Sequence, residues 1–242
     1  MNDIWFEPGH VAIVTGGSKG LGKALARELV RRGVTTIVDG RDAAVLESAR
    51  TELEPLGQIV AIAGDVADKE HVHALIAAAK RLGWLDLLVN NASTLGETPL
   101  PRVDELAKPV FERLFDVNVF APIHLMQHAL PLLLRHGGPA TIVNVTSDAA
   151  ANAYAGWGGY CASKAALEHI SRVLAEELAD PRLRVLAFDP GDMNTEMHRA
   201  AIPDADPESL RDPADSAAAM IAAIAGASSG FSRIGPEIAV RA

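Results

Sequence analysis

Apolar residues along the chain follow two alternating rhythms. Short, nearly continuous runs rich in Val, Ile and Leu recur at His10–Thr15, Val34–Val38, Gln58–Ala63, Leu85–Val89, Ala140–Val145, Leu183–Phe188 and Glu237–Val240. Apolarity sustained over so few residues predicts strands buried on both faces, as in parallel sheets. Between most of them, longer stretches repeat their apolar residues at the helical period: Leu21–Arg32, Ala43–Leu53, Lys69–Arg81, a broken stretch over Val103–Arg135, Tyr160–Ala179 and Ala214–Ala225. The alternation predicts an α/β chain: a doubly wound parallel sheet of about seven strands with helices on both faces. No repeat or long linker divides it, so residues 1–242 read as one domain. Pro203, Pro207 and Pro213 punctuate a loop at about 192–212 that holds a short helix.

Composition narrows the function. A hydrophobic share of 49% supplies one sizeable core, and a formal net charge of -9 disfavours a nucleic-acid surface. Cys161 is the sole cysteine, which rules out a disulfide within the chain and a cysteine metal cage. No metal is expected. No apolar run is long enough for a membrane helix, and no basic stretch precedes an apolar leader, so a cytoplasmic protein without a membrane partner is expected.

Ligands of doubly wound sheets sit beyond the carboxyl ends of the strands. Those ends read "TGG", "DGR", "GDV", "NNAS", "TSD" and "DPGD". Each alone suits a turn, but Asn90–Asn91 and Thr146–Ser147 carry polar chemistry into otherwise apolar strands. In "TGGSKGLG", Gly16, Gly20 and Gly22 follow a strand and open a helix whose unpaired N–H groups suit a pyrophosphate. The spacing departs from G-x-G-x-x-G, and the Gly-Lys-Ser/Thr ending of a P-loop is missing.

Thr15, Gly16, Gly20 and Gly22 match T-G-x-x-x-G-x-G, and with the match continuing over nearly the whole chain the sequence resembles the single-domain short-chain dehydrogenases/reductases. The resemblance implies a Rossmann-type domain for NAD or NADP, with Ser18, Lys19 and Leu21 in the phosphate turn. Gly40 stands at the family's NAD-selecting acid position and cannot hold a ribose, while Lys19 and Arg41 could meet a 2′-phosphate. NADP(H) is favoured. NAD(H) stays open because Asp39 or Asp42 could reach the ribose. Asp65 and Val66 would hold the adenine, and Asn91–Ala92 fall in the family's N-N-A-G, with Ser93 in place of glycine.

"YCASK" places Tyr160 and Lys164 four apart at the start of a helix, on one face. A tyrosine ionises near pH 10, too high for a base at neutral pH, and a nearby ammonium favours the phenolate. The resemblance adds Ser147 to hold the substrate oxygen and Asn118 to fix a water beside Lys164, which would also hold the nicotinamide ribose. It places Pro190, Gly191, Met193 and Thr195 around the nicotinamide. Asp192 is expected to cap the short helix after it. Thr94, Leu95, Ala149, Asn152, Tyr154, Trp157, Met193, Met197 and His198 are candidate substrate contacts.

The resulting expectation is an oxidoreductase moving hydride between NADP(H) and a small alcohol or carbonyl substrate, with carbonyl reduction favoured. An NAD-dependent alcohol dehydrogenase and a non-catalytic dinucleotide-sensing protein are the alternatives. Apolar residues on more than one face of the Tyr160–Leu178 helix point to a homodimer or homotetramer.

Overall fold

The computed structural model describes Phe6 and residues 8–235. Within them, strands β1 (Val11–Val14), β2 (Thr35–Gly40), β3 (Ile59–Ala63), β4 (Leu87–Asn90), β5 (Ala140–Val145), β6 (Leu183–Phe188) and β7 (Gly230–Ile234) form one sheet in the order β3-β2-β1-β4-β5-β6-β7. Every neighbouring pair is parallel. The order in which strands are added reverses at β1, whose Val14 pairs with Val38 on one side and Val89 on the other. Beyond that divide lies the crevice that receives ligands in folds of this kind.

Strand alternation sorts the core into two layers. Ala12 and Val14 face Leu25 and Leu29 of helix α1 (Gly20–Arg31) and Met220 and Ile224 of α8 (Pro213–Gly226). Val11 and Ile13 face Leu75 and Ile76 of α3 (Lys69–Leu82) and Leu125 and Leu132 of α5 (Ala121–Leu133). Helix α2 (Ala43–Leu53) is capped by Asp42, whose carboxylate accepts from Ala44 N and Val45 N. The predicted break inside 103–135 is a π turn at Asp116–Phe120, which joins α4 (Lys108–Phe115) to α5 without interrupting the helical path. Helix α6 (Gly158–Leu178) starts two residues before the predicted Tyr160, and Ala179 ends it in the left-handed conformation.

The seventh strand differs from expectation. It is Gly230–Ile234, whereas the predicted Glu237–Val240 lies outside the described residues. Ser232 and Arg233 broke the apolar pattern. A half-buried edge strand tolerates such residues because one margin has no neighbour to pack.

The 192–212 loop holds α7 (Glu196–Ala201) and a single turn at Pro207–Ser209. Its base is pinned where Asn194 N donates to Arg211 O at 2.9 Å and Arg211 N to Asp192 O at 2.9 Å.

Candidate active site

A cavity of about 980 Å³ runs along the carboxyl ends of the strands, from the glycine turn past α6 to α7. Gly16 and Gly20 have φ of +66° and +56°, a region that favours glycine. Gly22 is required for a different reason: a Cβ there would stand 2.3 Å from Gly16 O. The turn therefore packs against itself at Gly22, while Ser18, Lys19, Gly20 and Leu21 line the cavity with Gly16. Thr15 is likewise structural, its Oγ1 accepting from Asn91 N and Ala92 N at 3.0 Å each. No side chain caps α1, so the N–H groups of its first turn are left for a ligand at this mouth.

Of the two acids that kept NAD open, Asp39 has both carboxylate oxygens engaged, while Asp42 uses one and stays exposed on the cavity wall. Buried Asp39 accepts from Gly16 N at 2.6 Å and stands 3.0 Å from His71 Nε2, while Asp42 caps α2. Gly64 leaves room for this arrangement, because a Cβ there would meet His71 Nδ1 at 2.1 Å. Arg41 lies exposed on the cavity wall, and Lys19 pairs with Glu196 of α7. Asp65 and Val66 line the wall beside them. Burial pushes the Asp65 carboxyl up, but hydrogen bonds from Ala67 N and the Arg113 guanidinium more than offset this and hold it below the usual carboxylate range.

Asn91, Ala92 and Ser93 follow β4 into the cavity wall. Asn118, on the π turn, lies behind them and is fully buried. Its Oδ1 accepts from Thr94 N at 2.9 Å and from Ser93 Oγ at 3.1 Å; its Nδ2 donates to Thr94 O and to Ser163 Oγ, both at 3.0 Å. The side chain thus ties the loop after β4 to the first turns of α6. A π turn at this point fits a functional distortion of a helix.

Tyr160 and Lys164 share one face of α6, with Lys164 Nζ 5.6 Å from the Tyr160 ring centroid. Nζ is buried and donates to Val145 O at 2.9 Å, and burial pushes its pKa down to about 8. Burial also pushes the Tyr160 hydroxyl above its ordinary value; the Ser93 hydroxyl opposes the rise, while the Asp189 and Asp148 carboxylates add to it. Ser147 lies on the same wall. Its Oγ accepts from Ala149 N at 3.1 Å and donates to Asp148 Oδ1 at 3.0 Å. Thr146 turns to the other face of β5, with Oγ1 at 3.4 Å from Glu168. Arg233 of β7 braces the pair from behind, donating through Nε to Glu168 at 3.1 Å and through Nη2 to Ser147 O at 3.4 Å.

Pro190, Gly191, Met193 and Thr195 line the far end of the cavity. The expected cap is corrected here: Thr195, not Asp192, caps α7 by accepting from His198 N at 3.2 Å, and the Asp192 side chain is 78% exposed. The Asp192 carboxylate instead stands 3.8 Å from the His198 side chain. Of the expected substrate contacts, Thr94, Leu95, Ala149, Tyr154, Trp157, Met193, Met197 and His198 line the cavity, with Asp148 and Ile202 besides. Asn152 is not among its lining residues; its carbonyl accepts from Cys161 Sγ at 3.8 Å. His71, Arg113 and Arg233 escaped sequence reasoning, since each acts across elements remote in the chain.

The model of the short chain dehydrogenase family matches residues 10–206. The chain belongs to the short-chain dehydrogenases/reductases. D-erythrulose reductase of Gallus gallus is 37% identical over 194 residues, covering 79% of this chain and 74% of that protein. The NADPH-dependent pterin aldehyde reductase of Arabidopsis thaliana is 34% identical over 190 residues, or 78% of this chain and 76% of its own. Among solved structures, a protein from Escherichia coli CFT073 in complex with NADPH superimposes with a TM-score of 0.82 at 30% identity, covering 95% of this chain and 97% of that one. A 7 alpha-hydroxysteroid dehydrogenase with NADH and 7-oxo glycochenodeoxycholic acid gives 0.84 at 28% identity, covering 97% and 96%. Membership makes the protein an oxidoreductase with a Rossmann-type nicotinamide-dinucleotide fold. Among the described residues no helix is long and apolar enough to cross a membrane, and no group of three His, Cys, Asp or Glu could hold a metal.

Proposed function

We propose that this short-chain reductase reduces a small carbonyl compound to an alcohol with NADPH, and runs the reverse oxidation with NADP. The observation that carries the choice of cofactor is the enclosure of Asp39. With its carboxylate turned onto Gly16 N and His71, Asp39 is not free for a ribose 2′-hydroxyl, and Asp42 gives one carboxylate oxygen to the cap of α2. Arg41 and Lys19 flank the same place and would meet a 2′-phosphate, with Lys19 exchanging Glu196 for it. The residues suit the dinucleotide along its length: the uncapped start of α1 for the pyrophosphate, Asp65, Val66, Asn91 and Ala92 for the adenine and its ribose, and Pro190, Gly191, Met193 and Thr195 for the nicotinamide.

The cofactor supplies the hydride. Ser147 holds the substrate oxygen, turning its hydroxyl from Asp148 toward the incoming carbonyl. Tyr160 gives that oxygen its proton, and a charged Lys164 keeps the resulting phenolate accessible. Lys164 also holds the nicotinamide ribose. The Asn118 side chain is committed to the loop after β4, so its part is to hold the site together and, through its main chain, to seat a water beside Lys164. Leu95, Ala149, Trp157, Met193 and Met197 offer an apolar chamber for a modest substrate.

The reading extends to a homodimer or homotetramer in the cytoplasm. Exposed Val173 and Leu178 on α6, with Phe111 on α4 and Phe120 on the π turn, support an apolar contact face. Light scattering that finds only a 25.5 kDa species at micromolar protein would count against it.

The deciding experiment is a pair of fluorescence titrations, NADPH and NADH in parallel, on the wild type and on Arg41→Ala. Tighter NADPH binding that Arg41→Ala weakens about tenfold or more, with NADH unchanged, supports the reading. Tighter NADH binding by the wild type overturns the cofactor assignment. Retained turnover of a responsive carbonyl by Tyr160→Phe overturns the proton-transfer assignment.

A further inference from the structure

The resemblance to the family implies glycine after Asn91–Ala92, and Ser93 stands there. No backbone strain demands glycine: among the described residues Ala179 alone, of the non-glycines, has positive φ. The side chain is instead built into the site. Ser93 Oγ donates to Asn118 Oδ1 at 3.1 Å, and Ser93 lines the same cavity as Tyr160.

We propose that Ser93 is a positioning residue for Tyr160, its hydroxyl swinging from the Asn118 amide oxygen to the phenolic oxygen when Tyr160 loses its proton. The inference rests on Tyr160 being the proton-transfer group. A hydroxyl has one proton to give. While Tyr160 is a phenol it can itself donate, and the Ser93 proton goes to Asn118. A phenolate can only accept, and it attracts the donor more strongly than a neutral amide does. The exchange leaves no orphan, because Asn118 Oδ1 keeps the Thr94 N–H at 2.9 Å. Ser93 is also the neutral group that opposes the upward push of burial on the Tyr160 hydroxyl. The charged or titratable groups around that hydroxyl are Lys164 and Cys161 on α6, Asp148 after β5 and Asp189 after β6. Of these, only Lys164 carries a positive charge to favour the phenolate, its Nζ 5.6 Å from the ring centroid. Ser93 therefore supplies a second, uncharged source of phenolate stabilisation.

The chain has two tyrosines, so Tyr154→Phe isolates Tyr160 for direct titration by its tyrosinate absorbance. The titration is run on that variant saturated with NADP, and again with Ser93→Gly, Ser93→Ala and Ser93→Thr added. Ionisation is expected about one pH unit higher in the Gly and Ala variants, and restored by Thr, with NADP affinity unchanged. An unchanged midpoint in both Gly and Ala overturns the proposal, as does a wild-type Ser93 protein that shows no tyrosinate before it unfolds. Tyr160→Phe in parallel separates the two readings. If it keeps turnover, the proton-transfer assignment has failed; if it abolishes turnover while the Ser93 variants titrate like the parent, only the role of Ser93 has.

Discussion

Asp39 accepts the Gly16 N–H at 2.6 Å, a bond that fastens the end of β2 to the glycine turn and turns the carboxylate inward. Asp39→Ala leaves that donor and His71 without their acceptor. Loss of a buried acceptor of this kind costs about 1–3 kcal/mol, which urea denaturation should read as a lower midpoint. The ratio of NADH to NADPH affinity should stay within about twofold of the wild type. A selective loss of NADH binding would show instead that Asp39 reaches the ribose.

Gly22→Ala sets a methyl group 2.3 Å from Gly16 O, with no flexible side chain to yield. The expected cost is at least about 2 kcal/mol, with loss of the NADPH fluorescence response. Gly226→Ala, at the open end of α8 where nothing lies within 4 Å, is the control. It should be neutral or stabilising by up to about 1 kcal/mol.

Burial holds Lys164 at a pKa of about 8, below the ordinary lysine value of about 10.4. Between those pH values the unfolded chain binds more protons than the folded one, so this residue makes stability rise with pH across the window. Below pH 8 the full cost of the buried charge is present. Lys164→Met should therefore be more stable than the wild type at pH 7, by about 1–2 kcal/mol after the lost hydrogen bond to Val145 O is set against it. The advantage should fade above about pH 10, and turnover should be lost at every pH. Denaturant melts at several pH values decide it. A Lys164→Met protein less stable than wild type at pH 7 contradicts the burial argument.

Asn118 makes four hydrogen bonds with one side chain, two received and two given. Asn118→Ala strands the Thr94 main chain and Ser163, and Asn118→Asp sets a carboxylate against Thr94 O and removes both donated bonds. Each should cost about 2–4 kcal/mol in chemical denaturation, and Asp should rescue nothing. Equal stability of Asp and wild type would mean that the two donated bonds contribute little.

Much of this was legible because the signals are local. Strand runs, helical periods and the Thr15–Gly22 turn each occupy a few consecutive residues, and a parallel sheet repeats them. The proposed catalytic residues were legible through resemblance, since Ser147, Tyr160 and Lys164 sit at the ends of regular elements where spacing carries geometry. Asp39 shows what was lost. Alternation along β2 places it on the face of Ile37, toward α3, yet only the fold shows that His71 waits there. Ser93 stood out in the sequence only as a replacement for glycine, because its partner Asn118 arrives from another element. Gly22 was credited to a ligand, but its close neighbour is the backbone six residues earlier. The edge strand at Gly230–Ile234 was missed because half-burial relaxes the pattern by which strands are read.

The reversal of strand order at β1 also governs how the molecule comes into being. Ala12 pairs with Thr36 on one side but with Leu87 on the other, so the central strand stays half-covered until the fourth strand has been made. Contacts this distant in sequence are slow to form and leave unpaired strand edges exposed meanwhile. The dinucleotide crevice draws on residues from Gly16 to Thr195, so a chain still on the ribosome cannot grip the cofactor until most of its length has emerged. Binding is thus a late event in synthesis, and a ligand added to the nascent chain would report completion of the sheet rather than guide its early steps.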